Sequence, residues 1–362
     1  MKYIKGLDTL RAFAVIFVII EHWWIPFDIH SPALLVLIRG LIPDGGFGVD
    51  LFFVLSGYLI SGILLNAREQ NNERKWHTIR NFVIRRSLRI FPVYYATLLI
   101  LLLIGFPTIK ENLVWLVSYT SNILIYRTLA FNAFSHSWSL SVEEQFYLVW
   151  PWLLIFINEK YLKFVFAGAI VLGITTTIYT MNVLDNWAGF MLMPSCMQAF
   201  GIGGLLAYSK GKSFEQSLSK VINLIFPFAL LLHFYFSFSK DHDPQYNCLF
   251  LTVNSIISVW LIMKVINNKS EVIRKFLLEN RFLNYIGQIS YGIYLFHYVL
   301  TPIYEKEIVK YFSGSDPVGN IFVDWKYNYP IRLLLLYIIA SLSFKYFEKP
   351  IINLKKRFEY LS

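Results

Sequence analysis

Apolar runs near 20 residues recur along the whole chain, at about 8–26, 47–66, 89–106, 112–127, 140–157, 162–180, 190–208, 221–239, 247–266, 283–304 and 330–348. A bilayer core of about 30 Å takes about 20 residues of α-helix to cross. With 56% hydrophobic and 15% charged residues and a mean hydropathy of +0.51, the chain reads as an all-α polytopic membrane bundle, not a soluble two-domain protein. The first run is long enough to span and lacks a small-residue cleavage pattern, so it reads as the first transmembrane helix.

Charge sets the topology. If all eleven runs crossed, the basic clusters after the fourth would face the side opposite the cluster from Arg68 to Arg86. If 112–127, NLVWLVSYTSNILIYR, is instead a short re-entrant or surface segment, ten helices span and both termini are cytoplasmic. Of 33 Lys and Arg, 23 then fall on the cytoplasmic side and 7 outside, with Arg11, Arg89 and Arg332 inside helices. The net charge of +10 is therefore topogenic and does not call for nucleic acid as a partner. Cys196 and Cys248 show no metal spacing, so no metal site is expected, and a single disulfide stays open. No soluble domain exceeds the outer loop at 305–329, so residues 1–362 read as one membrane domain whose chemistry happens in or at the bilayer.

Three constellations carry that chemistry. In AFAVIFVIIEHWWIPF, His22 follows Arg11 by eleven residues, which is within about 20° of three full turns and about 16 Å along the axis. An intramembrane cation and imidazole on one stripe should face the bundle interior or a wet cavity. The structural alternative pairs Arg11 with Asp8 and leaves His22 at the interface. In NFVIRRSLRIFPVYY, Arg86 and Arg89 share a face one turn apart and suit a phosphate bidentately, whereas Arg80 and Arg85 read as anchors. Pro92 should bend the start of that helix. In SHSWSLSVEEQFYLVWPW, Ser141-Val-Glu-Glu144 fits a capping box, and Glu144 is either that cap or a carboxylate for proton transfer. Glu143 reads as solvated and His136 as a surface histidine.

Asp50 faces the same cavity or caps the second span. Tyr291, Tyr294 and His297 recur at i, i+3, i+6. The tyrosines read as core and His297 as a candidate lining an acceptor site. Glu348, beside Pro350, reads as a helix end. No H-x4-D motif follows from His22, because that spacing lands on Phe27.

Arg11-x10-His22, GVDLFFVLSGYLI, RRSLRIFPVYY, HSWSLSVEEQFYLVWP, ISYGIYLFHY and FEKP, in this order across nearly the whole chain, resemble acyltransferase family 3. These are integral-membrane acyltransferases of bacterial surface glycans and some secondary metabolites. The resemblance implies transfer of an acyl group, usually acetyl, from cytoplasmic acyl-CoA to an outer hydroxyl, in the bacterial inner membrane, with no further cofactor. Lipopolysaccharide O-antigen, capsule and exopolysaccharide are acceptors of the implied kind. Carried over residue by residue, the functional positions are Arg11, His22, Arg86 and Arg89, with Glu144 beside them. Some relatives append an outer hydrolase-like domain; this chain ends at Ser362 and is expected to act alone or with a separate partner.

On the residues alone, Arg86 and Arg89 suit the phosphates of an acyl-CoA, and His22 is a general base or a transient acyl carrier. A secondary transporter of an anionic solute is the alternative, although the two-half repeat common to transporters is not found. A non-catalytic scaffold leaves the Arg11–His22 alignment unexplained. The topology predicts that a cysteine replacing Asn132 reacts with a membrane-impermeant maleimide in intact cells. Protection there, combined with labelling in inverted vesicles, contradicts ten spans.

Overall fold

The computed structural model describes residues 4–23, 41–70, 74–131, 134–238, 244–305 and 325–358. Asn132 and the side chain of Cys248 lie outside what is described. Among the described residues the regular structure is entirely helical. The long elements are α1 (Lys5–Trp23), α2 (Gly45–Gln70) and α3 (Lys75–Leu103). After two short helices, α4 (Leu113–Val117) and α5 (Ser121–Thr128), come α6 (Trp138–Phe156), α7 (Leu162–Ile178), α8 (Met193–Ser209), α9 (Glu215–Phe238) and α10 (Pro244–Ile266). The chain closes with α11 (Arg281–Gln288), α12 (Ser290–Ile303) and α13 (Trp325–Ser343).

Six of these, namely α2, α3, α7 with its flanking turns, α9, α10 and α13 with its continuation, are long and apolar enough to cross a membrane. The protein is a membrane protein. The helices outside that set have physical reasons to be. Lys5, Asp8, Arg11 and Glu21 interrupt α1, and α8 and α12 have only 17 and 14 residues.

The segment 112–127 forms no long helix. It breaks between α4 and α5, where Tyr119 adopts φ 51°, and the 8 residues of α5 reach only about 12 Å. Gln145 on α6 holds it in place, donating to the Tyr119 carbonyl at 2.9 Å and to Asn122 Oδ1 at 2.9 Å. Two expectations are corrected. The helix holding Pro92 begins at Lys75, so Pro92 lies well inside α3 rather than at its start. The run 283–304 is two helices, broken around Ile289.

Backbone proximity organises the bundle, as expected where apolar surface alone does not drive helices together. A Cβ built on Gly57 of α2 would lie 2.2 Å from the Phe200 carbonyl oxygen of α8, and one on Gly203 of α8 would lie 2.1 Å from that of Val54. Likewise α11 reaches α1 at Gly287, where a Cβ would lie 1.9 Å from the Asp8 carbonyl oxygen. That contact fixes the turn of α1 which carries Asp8 and Arg11. Gly287→Ala is expected to force α11 off α1 and to cost about 1–3 kcal/mol or more. In Gly168→Ala the new Cβ meets nothing within 4 Å and stability should hold. Thermal melts in detergent, followed by size exclusion, distinguish the two, and equal melting temperatures would remove the steric argument.

Candidate active site

The basic residues of α1 and α3 surround a cavity of about 850 Å³. Arg11, Arg85, Arg86, Arg89, Lys349 and Lys355 stand on its wall against Asp8 and Glu348. Arg11 is held by Asp8, one turn earlier, at 2.5 Å. Arg86 lies over the rings of Phe82 and Tyr147, at 5.7 and 5.6 Å from their centroids. Arg85 is tied to the last turns of the chain, donating to the Phe358 carbonyl at 3.1 Å. Arg80 is exposed and lines neither this cavity nor the next.

A second space of about 90 Å³ continues inward and shares Arg11, Leu59, Arg86, Arg89 and Tyr291 with the first. Its remaining polar groups are Ser56, Ser139, Glu143, Tyr147, Ser290 and Tyr294. Ser56 donates to Glu143 Oε1 at 2.6 Å, which positions a carboxylate opposite the two guanidiniums of α3. The basic cavity is thus a vestibule and the second space its neck.

Tyr294 closes the neck. Its hydroxyl meets Ser139 Oγ at 2.5 Å and donates to the His136 carbonyl at 3.1 Å. Beyond it lie three imidazoles. The ring of His297 is 5.0 Å from that of His22 and 5.3 Å from that of His136, and Tyr298 stacks on His136 at 5.0 Å. His297 Nδ1 lies 2.6 Å from the Tyr294 carbonyl, and its Nε2 lies 2.8 Å from His22 Nδ1.

A carbonyl only accepts, so in neutral rings His297 Nδ1 carries the hydrogen and Nε2 the lone pair. His22 Nδ1 must then donate to it, which leaves the lone pair of His22 on Nε2. Among the described residues His22 Nε2 has no hydrogen-bond partner, and His22 retains exposure. The arrangement presents a base whose tautomer is set by a backbone carbonyl two hydrogen bonds away. His136 Nε2 donates to the Leu295 carbonyl at 3.2 Å, and its Nδ1 is buried without a partner. Among the described residues no three or more His, Cys, Asp and Glu side chains are placed to hold a metal ion.

The structure therefore gathers Arg11, Arg86 and Arg89 on shared walls and puts His22 and His297 in hydrogen-bond contact. None of His22, His297, Asp50 and Glu144 lines either cavity; the two histidines lie beyond Tyr294, and the two acids lie elsewhere. Asp50 is buried and lines neither. Glu144 lines neither as well, and its Oε1 is buried without a partner. Glu144 is also no cap. The helix begins at Trp138, so Ser141 lies inside it and bonds the Ser137 carbonyl and Ser121 Oγ. His136, expected at the surface, is 3% exposed, and Glu143, expected in solvent, faces the neck.

The model of the family described as an acyltransferase domain, acyltransferase family 3, matches residues 4–347. The chain belongs to acyltransferase family 3. The peptidoglycan O-acetyltransferase OatA of Listeria monocytogenes is 29% identical over 382 residues, covering 97% of this chain and 56% of that protein. The O-acetyltransferase OatA of Staphylococcus aureus is 29% identical over 378 residues, 97% of this chain and 57% of that one. A protein of S. aureus strain COL, provisionally named an O-acetyltransferase, is 29% identical over 381 residues, with the same coverages of 97% and 57%. The chain thus spans a little over half the length of these relatives. No solved structure matches it.

Family membership favours the acyltransferase reading over the transporter. It does not by itself reveal the polar wall that single-residue reasoning overlooked. Ser139, Glu143 and Tyr147 recur at i, i+4, i+8, a polar stripe on one face of an apolar helix, with His136 three residues before Ser139 in the turn that leads into it, and that period was the available signal. The same face logic applies to Tyr291 and Tyr294, expected as core and found lining the cavities. Glu348, expected as a helix end, lines the vestibule and accepts from Ser343 Oγ at 2.9 Å. Glu143→Gln is expected to lower acyl transfer by roughly tenfold or more, the scale of one charge-assisted hydrogen bond. Glu144→Gln should cost less. Transfer assayed in membranes at matched protein levels checks this, and a more severe loss at Glu144 would make that residue, not Glu143, the carboxylate on which transfer depends.

Proposed function

We propose that this chain is an O-acetyltransferase that takes an acetyl group from acetyl-CoA at the vestibule and delivers it to a glycan hydroxyl at the His22 end. The carrying observation is the pair of confluent spaces, which share Arg11, Arg86, Arg89 and Tyr291 and end at Tyr294 beside the histidines. A cavity of about 850 Å³ is of the size that cofactor sites occupy, and its guanidiniums suit the phosphates of a CoA-type donor. The O-acetyltransferase names of relatives, one of them acting on peptidoglycan, support acetyl as the group and a cell-envelope glycan as the acceptor class.

In this reading ten helices cross the bacterial inner membrane, α1, α6, α8 and α12 joining the six apolar ones, as a single domain with both termini cytoplasmic. The basic asymmetry supports that orientation, and it gives the vestibule to the cytoplasm and His22 to the outer side. The acceptor oxygen attacks the thioester carbonyl while His22 Nε2 takes its proton. The new O–C bond replaces C–S, CoA leaves as the thiolate, and the proton on His22 is then released. About 16 Å separates Arg11 from His22, so the thioester arm has to thread the neck. About 90 Å³ is roughly the volume of three water molecules, so the contacts around Ser56, Glu143 and Tyr294 part during transfer.

Radiolabelled acetyl-CoA supplied to membranes should label surface polysaccharide. Arg86→Ala and Arg89→Ala should weaken acetyl-CoA binding by roughly tenfold to a hundredfold, with Arg80→Ala neutral. His22→Gln should leave that binding intact and reduce transfer on the order of a hundredfold to ten-thousandfold. Substantial transfer by His22→Gln at normal protein levels would return the histidine to a structural role.

A further inference from the structure

At the His22 end, a group of polar side chains has no part in the scheme above. Arg332, on α13, has its guanidinium carbon 5.0 Å from the ring centroid of Trp23 and 6.0 Å from that of Tyr304. Its Nε is buried with no hydrogen-bond partner, as are the Tyr304 hydroxyl and Asn328 Oδ1. Tyr304 is 0% exposed. Asn328 precedes Arg332 by four residues and shares its helix face. Among the described residues no carboxylate forms an ion pair with Arg332, and Glu305, next to Tyr304, is exposed.

Buried polar groups are costly unless paired, and each exception in a native protein calls for a partner from elsewhere. Here a cation, a hydroxyl and an amide carbonyl are orphaned together. The same Trp23 that lies under Arg332 donates its indole N–H to the His297 carbonyl at 3.2 Å, so the group borders the histidine cluster. A guanidinium offers a planar fork to a carboxylate or phosphate, Tyr304 adds a hydroxyl donor, and Asn328 Oδ1 accepts from a neighbouring hydroxyl. We propose that Arg332, Tyr304 and Asn328 form a subsite for an acidic group on the acceptor, an anionic carboxylate or phosphate carried beside the hydroxyl that His22 serves. This rests on the acyl-transfer reading and adds the charge of the substrate to it.

The test uses the full chain in lipid nanodiscs. Equilibrium dialysis measures binding of tritiated N-acetylmuramic acid, which carries a carboxylate, of glycerol 1-phosphate as the lipid-headgroup phosphate, and of neutral N-acetylglucosamine. One acidic probe should bind at least tenfold more tightly than the neutral sugar, and which one it is names the source of the charge. Arg332→Gln should abolish that preference, and Arg332→Lys should restore part of it. Acetyl-CoA binding unchanged in both variants confirms that they fold. Acidic probes that bind no better than the neutral one, or a preference that survives Arg332→Gln, would overturn the subsite. Arg332-dependent acid binding by a chain that transfers no acetyl group would support the subsite and overturn the reading of the reaction on which it rests.

Discussion

Three guanidiniums inside an apolar bundle are the constraint on which the rest of this structure depends. Arg11, Arg86 and Arg89 cannot face lipid without a large cost, and pairing every one with an acid would leave nothing to bind. The fold resolves this by surrounding them with a cavity and pairing them sparingly. Asp8 holds Arg11, aromatic faces hold Arg86, and Glu143 and Glu348 stand across the space. The close approach of Gly287 to Asp8 belongs to the same solution, because it fixes the turn of α1 on which the first of these pairs depends.

Division of labour follows from the change in width. The vestibule is wide, basic and open enough for a polyanionic group. The neck has the volume of only a few water molecules, and beyond the guanidiniums it shares with the vestibule its polar lining is hydroxyls and one carboxylate. The imidazoles lie beyond a tyrosine that bonds to both sides, through Ser139 Oγ and the His136 carbonyl. On the proposed reading, charge recognition and proton chemistry are thereby kept apart, the first at the vestibule and the second at the histidines beyond Tyr294.

Much of this was legible in the sequence because helices impose a period. The Arg11–His22 alignment and the Arg86–Arg89 pair are statements about one helix each, and a single helix can be read from spacing alone. The short segment at 112–127 was legible through charge, which reports sidedness without reference to packing. What escaped depends on which helix lies opposite. His136 and Glu143 look solvated when α6 and the turn before it are considered alone, and become buried or cavity-lining because α2 and α12 lie against that face. The Ser141–Glu144 spacing fits a cap, but a three-residue 3-10 turn lets the helix start earlier, and local pattern cannot foresee that. Glu144 and Asp50 show the converse: an acidic residue in an apolar segment marks a buried environment without saying which cavity, if any, it serves.

The direction of the hydrogen bonds among the histidines has a further consequence. His297 gives its only N–H to the Tyr294 carbonyl, and a carbonyl has nothing to pass on. A proton arriving on His22 Nε2 therefore has no conducting path inward through His297; that branch is a blind alley. It must depart through the nitrogen by which it entered, on the exposed side. On the proposed reading, an acyl group would pass from one face of the bilayer to the other while the histidine pair offers protons no matching route, so moving a substituent across need not open a leak.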